Sequence, residues 1–392
     1  MNKINNWQTK KLGEILKISS GTGLTKSKRN DGGKYLVYGG NGVTGKHDEY
    51  LFDDEKLIIG RVGVHCGNAY ITRPKSWVTD NAFVVTFNED EINKKFLLNL
   101  IRILNLNKYS VSTAQPVISQ RTIYPIEIAL PPLETQHAIV SKIEELFSEL
   151  DKGIAELKTA QQQLKTYRQS VLKSAFEGKL TNENVKDGEL PDDWEIKKLN
   201  QVAKIISGFA FKSSDFISKG IPVVKISNIG YSEFIWKDQQ YLPEKFLISN
   251  SDFILKNDDL LIALTRPITN NTTKICLYPK NTNIGLLNQR VACIKEIQLN
   301  KKYLFLYFQT NNFKEYIRTK FSETLQPNLS PKDLAITPIP LPSPEEQNRI
   351  VQEIESRLSV ADKMEQSIQE SLQKAETLRQ SILKKAFCGE LV

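Results

Sequence analysis

Two short stretches of this 392-residue chain carry the residue types of a reaction centre. Gly40-Asn-Gly-Val-Thr-Gly45-Lys46 satisfies G-x-G-x-x-G and all but the last position of G-x-x-x-x-G-K-[ST]. A phosphate cradle needs a strand before its glycines and a helix N-terminus after them. Here His47 follows Lys46, and HDEYLFDDEKLIIG has no helical apolar period. The segment is therefore expected to be a glycine-rich loop between strands, not a nucleotide site. Asp54-Glu55-Lys56 is a D-x-K fragment of the kind nucleases use, and a turn before the strand LIIG accounts for it equally. The N-P-P-[YF] tetrapeptide of adenine-modifying enzymes is absent, as is any Ser–His–Asp or paired-carboxylate arrangement. Cys66, Cys276, Cys293 and Cys388 form no C-x-x-C pair, which argues against a disulfide framework and a zinc site. His47, His65 and His137 leave few ligands for a metal centre.

What remains is chemistry of recognition. IIGRVGVHCGN (58–68) lies opposite LIALTRPITNN (261–271) when the two halves of the chain are compared, with Arg61 set opposite Arg266. WVTDNAFVV (77–85) lies opposite GLLNQRVAC (285–293), with Asp80-Asn81 opposite Asn288-Gln289. These loops supply Arg61, His65, Asn68, Asp80 and Asn81 in the first half, and Arg266, Asn270, Asn271, Asn288, Gln289 and Arg290 in the second. Arginine on guanine and Asn or Gln on adenine are the pairings that base edges in the DNA major groove reward. Lys26, Lys28, Arg29, Lys34, Lys46, Lys212 and Lys225 are candidates for phosphate contacts, which position a protein on a duplex without specifying sequence.

The elements that carry these loops come in two copies. Leu130 to Thr181 and Leu341 to Val392 align without a gap, and roughly two positions in five are identical. Each copy reads as one long helix, with prolines at its start and Gly178 or Gly389 at its release. About 45 helical residues span roughly 65–70 Å, too long to bury in one small domain. Ile143, Phe147, Leu150, Ile154, Leu157, Gln161, Leu164, Arg168 and Val171 step by four and three. Their counterparts are Ile354, Leu358, Ala361, Glu365, Ile368, Leu372, Ala375, Arg379 and Ile382. That heptad spacing predicts two helices packed on each other, with Arg168 and Arg379 available to fix register.

The repeat extends beyond the helices. WQTKKLGEILKISSG from Trp7 is echoed by WEIKKLNQVAKIISG from Trp194, and Thr113-Ala-Gln-Pro-Val-Ile-Ser119 by Thr324-Leu-Gln-Pro-Asn-Leu-Ser330. The expected organisation is a domain at 1–130, a long helix at 131–180, a polar linker at 181–193, a second domain at 194–340 and a second helix at 341–392. GKYLVYGG, KLIIGRVG, NAYITR and AFVVTF read as strands of the first domain, followed by a helix from Ile92 to Leu104. IPVVKIS, DLLIALTR, TKICLYP and RVACIKE read as strands of the second, followed by KKYLFLYFQTNNFKEYIRTK as a helix. The fold class is α+β: two globular domains of similar fold separated by long helices packed as an antiparallel coiled coil, with a pseudo-two-fold internal repeat. A net charge of +8 is consistent with a polyanionic partner. No apolar run reaches membrane-spanning length and no apolar signal region opens the chain, so a cytoplasmic protein is expected.

W-x-x-x-K-L at Trp7 and Trp194, Q-P-x-[IL]-S at Gln115, Q-P-x-L-S at Gln326, L-P-x-x-E-x-Q at Leu130 and Leu341, and R-Q-S-x-L-x-x-A-F-x-G-x-L at Arg168 and Arg379 cover essentially the whole chain. In this pattern the chain resembles the specificity subunit of type I restriction–modification systems. The resemblance implies two target recognition domains, each reading half of a split, asymmetric site in double-stranded DNA, held at a fixed spacing by the paired helices. It implies no catalysis by this chain and no cofactor on it. S-adenosylmethionine is expected on two methyltransferase subunits, and ATP and Mg on restriction–translocase subunits. It places partner contacts on the matched helix ends, at Glu134, Gln136, Ile139, Val140, Arg168, Gln169 and Leu172, and at Glu345, Gln347, Ile350, Val351, Arg379, Gln380 and Leu383. Three alternatives stand beside it. One is the specificity subunit of a restriction–methylation enzyme that does not depend on ATP. Another is a coiled-coil assembly adaptor that ignores DNA. The last is a nucleotide hydrolase built on Gly40–Lys46.

Overall fold

The computed structural model describes residues 6–30, 32–111, 115–182, 184–186, 188–280, 282, 284–321 and 326–392. The chain divides into two compact units, one of Met1–Lys158 with Gln369–Val392 and one of Thr159–Ile368.

In the first unit the strands β1 (Gln8–Lys11), β2 (Leu16–Ser20), β3 (Tyr35–Gly39), β4 (Gly42–His47), β5 (Leu57–Gly60), β6 (Ala69–Ile71), β7 (Trp77–Val78) and β8 (Ala82–Phe87) precede helix α1 (Lys94–Leu104), β9 (Glu127–Leu130) and the long helix α2 (Leu133–Phe176). β2-β8-β5-β6 form one antiparallel sheet and β4-β3-β7 a second, while β1 pairs with β9. The strands expected from the period-two runs are all present. β5 shows why they need two covered faces: Leu57 and Ile59 pack towards α1, joining Phe96, Leu97 and Ile101, while Ile58 packs against Tyr38, Val78 and Val84. The first of these cores also takes in Ile139, Val140 and Ile143 of α2.

The second unit repeats the scheme with β10 (Glu195–Lys198), β11 (Lys204–Ser207), β12 (Ile221–Val224), β13 (Tyr241–Leu242), β14 (Ile254–Leu255), β15 (Leu260–Ala263), β16 (Ile268–Thr269), β17 (Thr272–Thr273), β18 (Ile275–Leu277), β19 (Gly285–Leu287) and β20 (Val291–Lys295). Helices α3 (Lys301–Tyr307) and α4 (Asn311–Arg318), β21 (Pro338–Leu341) and the long helix α5 (Pro344–Phe387) follow. The sheets are β11-β20-β15-β18 and β13-β12-β19-β14, the hairpin β16-β17 stands apart, and β10 pairs with β21. The alternation in β15 matches that in β5: Leu260 and Ile262 face the helices, Leu261 and Ala263 the other core. One expectation fails here. The run KKYLFLYFQTNNFKEYIRTK is two helices, because Thr310 leaves the helical backbone (φ −67°, ψ 154°) and its side chain caps α4 by accepting from the Phe313 N–H at 3.1 Å.

The long helices end as the glycines announce: Gly178 and Gly389 take left-handed φ values of 79° and 70°. Every residue of both heptad seams is buried or half-buried. Within the first unit, Ile139, Val140 and Ile143 share a core with Ile382, Leu383 and Ala386, while Asp151 further along α2 meets Arg379. Within the second, Arg168 meets Asp362 and Glu365, and Val171 to Phe176 share a core with Ile350 and Ile354. Rising numbers on one helix meet falling numbers on the other, so the segments run antiparallel in each unit. Arg168 and Arg379 are repeat equivalents, and so are Asp362 and Asp151. The same ion pair is therefore made twice, once per unit, so the sequence repeat is kept in the side-chain pairing. The linker residues 183 and 187 lie outside the described residues; Pro191 packs on Gly178 near Trp194.

Candidate nucleic-acid interface

In the first unit the loop after β5 and the turn before β8 are stitched edge to edge. Arg61 N–H donates to Asn81 O at 2.9 Å, and the Arg61 carbonyl accepts from Ile118 N–H at 3.1 Å. The Gly63 N–H donates to Pro116 O at 2.9 Å, so Pro116, of the repeated Gln-Pro segment, braces the reading loop from the other side. Thr113 and Ala114 of that segment lie outside the described residues. The Arg61 guanidinium donates to Ser20 Oγ at 2.9 Å and lies 5.4 Å from the Phe83 ring centroid, which holds it half-buried and aimed. His65, Asn68, Asp80 and Asn81 are exposed around it. Arg29 and Lys46 meet at β4, with Arg29 Nη1 donating to Thr44 O at 3.2 Å and Asn30 N–H to Lys46 O at 3.0 Å, and Lys28 is exposed in the turn just before them. Lys26 opens the short helical turn Lys26–Lys28, but its side chain lies outside the described residues. The fragment at Asp54 is a local pair, Lys56 Nζ to Asp54 Oδ2 at 2.9 Å; that hydrogen bond holds the Asp54 carboxyl below its usual range.

The second unit repeats the stitching. Leu264 N–H donates to Arg290 O, Arg266 N–H to Pro327 O, and Leu329 N–H to Leu264 O, at 2.9, 2.8 and 2.8 Å. These bonds correct the pairing of the halves. Arg61 corresponds to Leu264, and the counterpart of Arg266 is Gly63, which like Arg266 has a left-handed φ (87° and 48°). The strand register moves the second pairing by one residue: Thr79 answers to Asn288, Asp80 to Gln289 and Asn81 to Arg290, with Ala82 N–H on Thr79 O and Val291 N–H on Asn288 O, both at 3.0 Å. Thr324 and Leu325 of the second Gln-Pro segment lie outside the described residues.

Arg266, Asn270, Asn271, Gln289 and Arg290 are exposed, and Asn288 is half-buried. Asn270 and Asn271 form the turn of the β16–β17 hairpin, both with positive φ (49° and 58°). They are not equivalent. Arg318 donates to Asn271 Oδ1 at 2.7 Å, and Lys314 Nζ donates to Asn271 O at 3.1 Å, so Asn271 ties the hairpin to α4. Lys314 is itself buried; burial and then the Arg318 charge push its ammonium pKa down. Neither Lys314 nor Arg318 was indicated by the sequence, because their role depends on where the hairpin lands. Lys212 is exposed beside its own turn. Lys225 is half-buried and spends its ammonium on Asp238 O at 2.5 Å, which removes it from the free phosphate contacts.

The helix ends also differ from expectation. Glu134, Glu345 and Gln380 are exposed. Glu134 borders a cavity of about 490 Å³ lined by Trp7, Pro132, Ala138 and Ile139. Gln136 and Gln347 are not surface groups. Each is buried and clamps the start of a domain helix: Gln136 Oε1 accepts from Asn93 N–H at 2.9 Å and its Nε2 donates to Glu91 O and Pro131 O. Gln347 does the same with Asn300 N–H and Pro342 O. Ile139, Val140, Leu172, Ile350, Val351 and Leu383 are buried in the chain's own cores, so none of them faces a partner. Arg168 and Arg379 are engaged between the helices, with Arg379 also over the Phe147 ring, and Gln169 accepts from Lys314 at 3.3 Å. Burial wins at these positions because an amphipathic stripe cannot face both its own domain and a partner.

Among the described residues no helix is long and apolar enough to cross a membrane. The profile of the type I restriction modification DNA specificity domain matches residues 4–159 and again 191–374. The type I restriction enzyme MjaVIII specificity subunit of Methanocaldococcus jannaschii is 28% identical over 306 residues, covering 77% of this chain and 69% of its own length. The EcoDI specificity subunit of Escherichia coli is 26% identical over 411 residues, covering 98% and 88%. Two solved chains share the fold at 20% identity. One, from work on complex assembly and conformational transition of the type I R-M system, has a TM-score of 0.73 with 99% of each chain covered. The other, the HsdS subunit of Thermoanaerobacter tengcongensis, has a TM-score of 0.60 with 99% of this chain and 98% of its own covered. With its profile matched twice over most of its length, and both matches falling on the duplicated scaffold, this chain belongs to the family of type I restriction–modification DNA specificity subunits.

Proposed function

We propose that this chain is the non-catalytic DNA-recognition subunit of a type I restriction–modification complex, reading an asymmetric two-part site in double-stranded DNA. One observation carries the reading: two stitched loop frames, built by the same backbone hydrogen bonds to Pro116 and Pro327, present different side chains. Arg61, His65, Asn68 and Asn81 stand in one frame, and Arg266, Asn270, Gln289 and Arg290 in the other. A common frame with different contents is what two unlike half-sites require, since base edges are distinguished by side-chain donors and acceptors. Lys28, Arg29 and Lys46 suit the phosphate contacts that position such a reader.

In this reading the chain holds no cofactor. Two methyltransferase subunits carry S-adenosylmethionine and modify an adenine in each half-site, and restriction–translocase subunits bring ATP and Mg. The repeated Glu134 and Glu345 are the exposed helix-end groups left for two equivalent partner contacts. The complex acts on DNA in the cytoplasm.

The test is methylation-sensitive sequencing of DNA from cells making this chain with its methyltransferase, against cells lacking only this chain. A split, asymmetric, adenine-modified motif that depends on the chain is the expected result. No motif, with both proteins made and associated, would reject it in favour of the assembly adaptor.

A further inference from the structure

The glycine-rich stretch that is not a nucleotide cradle has a different place in the first unit. Gly40 and Asn41 form the tip of the β3–β4 hairpin, and that tip is pressed into the reading loops. A Cβ on Gly40 would come within 2.9 Å of Asn81 O and 3.3 Å of Val62 O, and one on Gly60 would collide with Gly40 O. Only glycine at both positions lets the hairpin tip reach the loops of Arg61 and Asn81. Asn41 is exposed there. Its Oδ1 accepts from the Tyr70 hydroxyl at 3.2 Å, and the same hydroxyl accepts from Asn68 Nδ2 at 3.4 Å. Tyr70 is half-buried and packs its ring in the core of Tyr38, Ile58 and Val84, so the hydroxyl is a fixed post between two exposed amides.

We propose that Asn41 is a specificity-determining residue of the first half-site, with Tyr70 as its positioning residue. The inference rests on the DNA-reading function proposed above. The hydroxyl sets the polarity of both amides. Asn41, with its oxygen occupied, is left to offer Nδ2 as a donor; Asn68, with Nδ2 engaged, offers Oδ1 as an acceptor. Adenine presents an acceptor at N7 beside a donor at N6, whereas guanine presents two acceptors, N7 and O6. The pair therefore selects adenine and opposes guanine.

The experiment is the same sequencing with the full chain and its methyltransferase, comparing the unmutated chain with Asn41→Ala, Asn41→Asp and Tyr70→Phe. Asn41→Ala is expected to relax one A·T position of one half-site, by about tenfold in discrimination, and to leave the other half unchanged. Tyr70→Phe keeps the ring packing and is expected to relax the same position with an unchanged melting temperature. Asn41→Asp, with the donor replaced by an acceptor, is expected to disfavour adenine there. If Asn41→Ala yields no modification while still co-purifying with the methyltransferase, that half-site is no longer bound, which also supports the proposal. A motif identical at every position in Asn41→Ala and Tyr70→Phe would overturn it. A motif missing from the unmutated chain would instead remove the DNA-reading function and the proposal with it.

Discussion

Arg266 presents its side chain from a left-handed backbone that non-glycine residues seldom adopt, held there by its N–H on Pro327 O. A residue kept in that conformation at an exposed loop has its side chain aimed by the backbone, not by a partner. Arg266→Ala is therefore expected to relax one position of the second half-site, with little effect on stability and none on the first half-site, as read by motif sequencing and thermal melting. Asn270 and Asn271 separate the two kinds of loop residue. Asn270→Ala is expected to alter recognition, with a stability cost limited to placing alanine on the left-handed backbone of the turn, about 1 kcal/mol. Asn271→Ala removes the exposed Arg318 contact and puts alanine on a left-handed backbone, and is expected to cost about 1–2 kcal/mol in denaturant unfolding before any change in motif is considered. The residue types at these loops were legible in the sequence, since Arg, Asn and Gln clusters between apolar strands are visible without a structure. Their pairing was not. Gly63 corresponds to Arg266 through a backbone hydrogen bond to proline, and side-chain similarity points to Arg61 instead.

At the scale of elements, strands and heptad seams were legible because periodicity is a property of neighbouring residues. The break at Thr310 was not, since apolar residues continue through it and the cap is decided by one backbone angle. The burial of Gln136 and Gln347 was equally hidden, because their partners, the N–H groups of Asn93 and Asn300, lie far away in sequence. These amides join each domain helix to its long helix. Gln136→Ala or Gln347→Ala is expected to destabilise the chain by about 2–3 kcal/mol in its own unfolding, without any partner present. Glu134→Gln is expected to change that unfolding by less than about 1 kcal/mol, the loss of one carboxylate at the helix N-terminus, and to lower recovery of the methyltransferase on co-purification. The second core adds a pH dependence. Burial pushes the Cys276 thiol from 9.0 up to about 12, and burial pushes Cys293 up as well. The unfolded chain gives up these protons near pH 9 and the folded chain keeps them. Stability is whole below that pH and falls as pH rises towards 12, by up to about 1.4 kcal/mol per pH unit for each thiol. Melting curves of the Cys276→Ala, Cys293→Ala double variant are expected to show a shallower alkaline decline.

For the whole molecule, the duplication determines what one chain can do with two sites. Both long helices continue across the division of the chain, α2 at Lys158 and Thr159, α5 at Ile368 and Gln369. On the proposed function, the number of helical residues between the two reading domains sets the spacer of the split site. Seven residues add about 10 Å of helix, the length of about three base pairs. A whole heptad also keeps the seam facing inward, which a shorter insertion would not. Inserting one heptad after Lys158 and a matching one after Ile368 leaves Arg379–Asp151 and Arg168–Asp362 in their own units, so the variant retains both register pairs. Such a chain is expected either to modify a motif with the same two half-sites and a longer spacer, or to lose modification while still binding its methyltransferase. Both outcomes follow from helices that measure DNA, the second because three added base pairs also rotate one half-site about the duplex axis. A motif with the original spacer would show that the paired helices hold the chain together without setting the distance it reads.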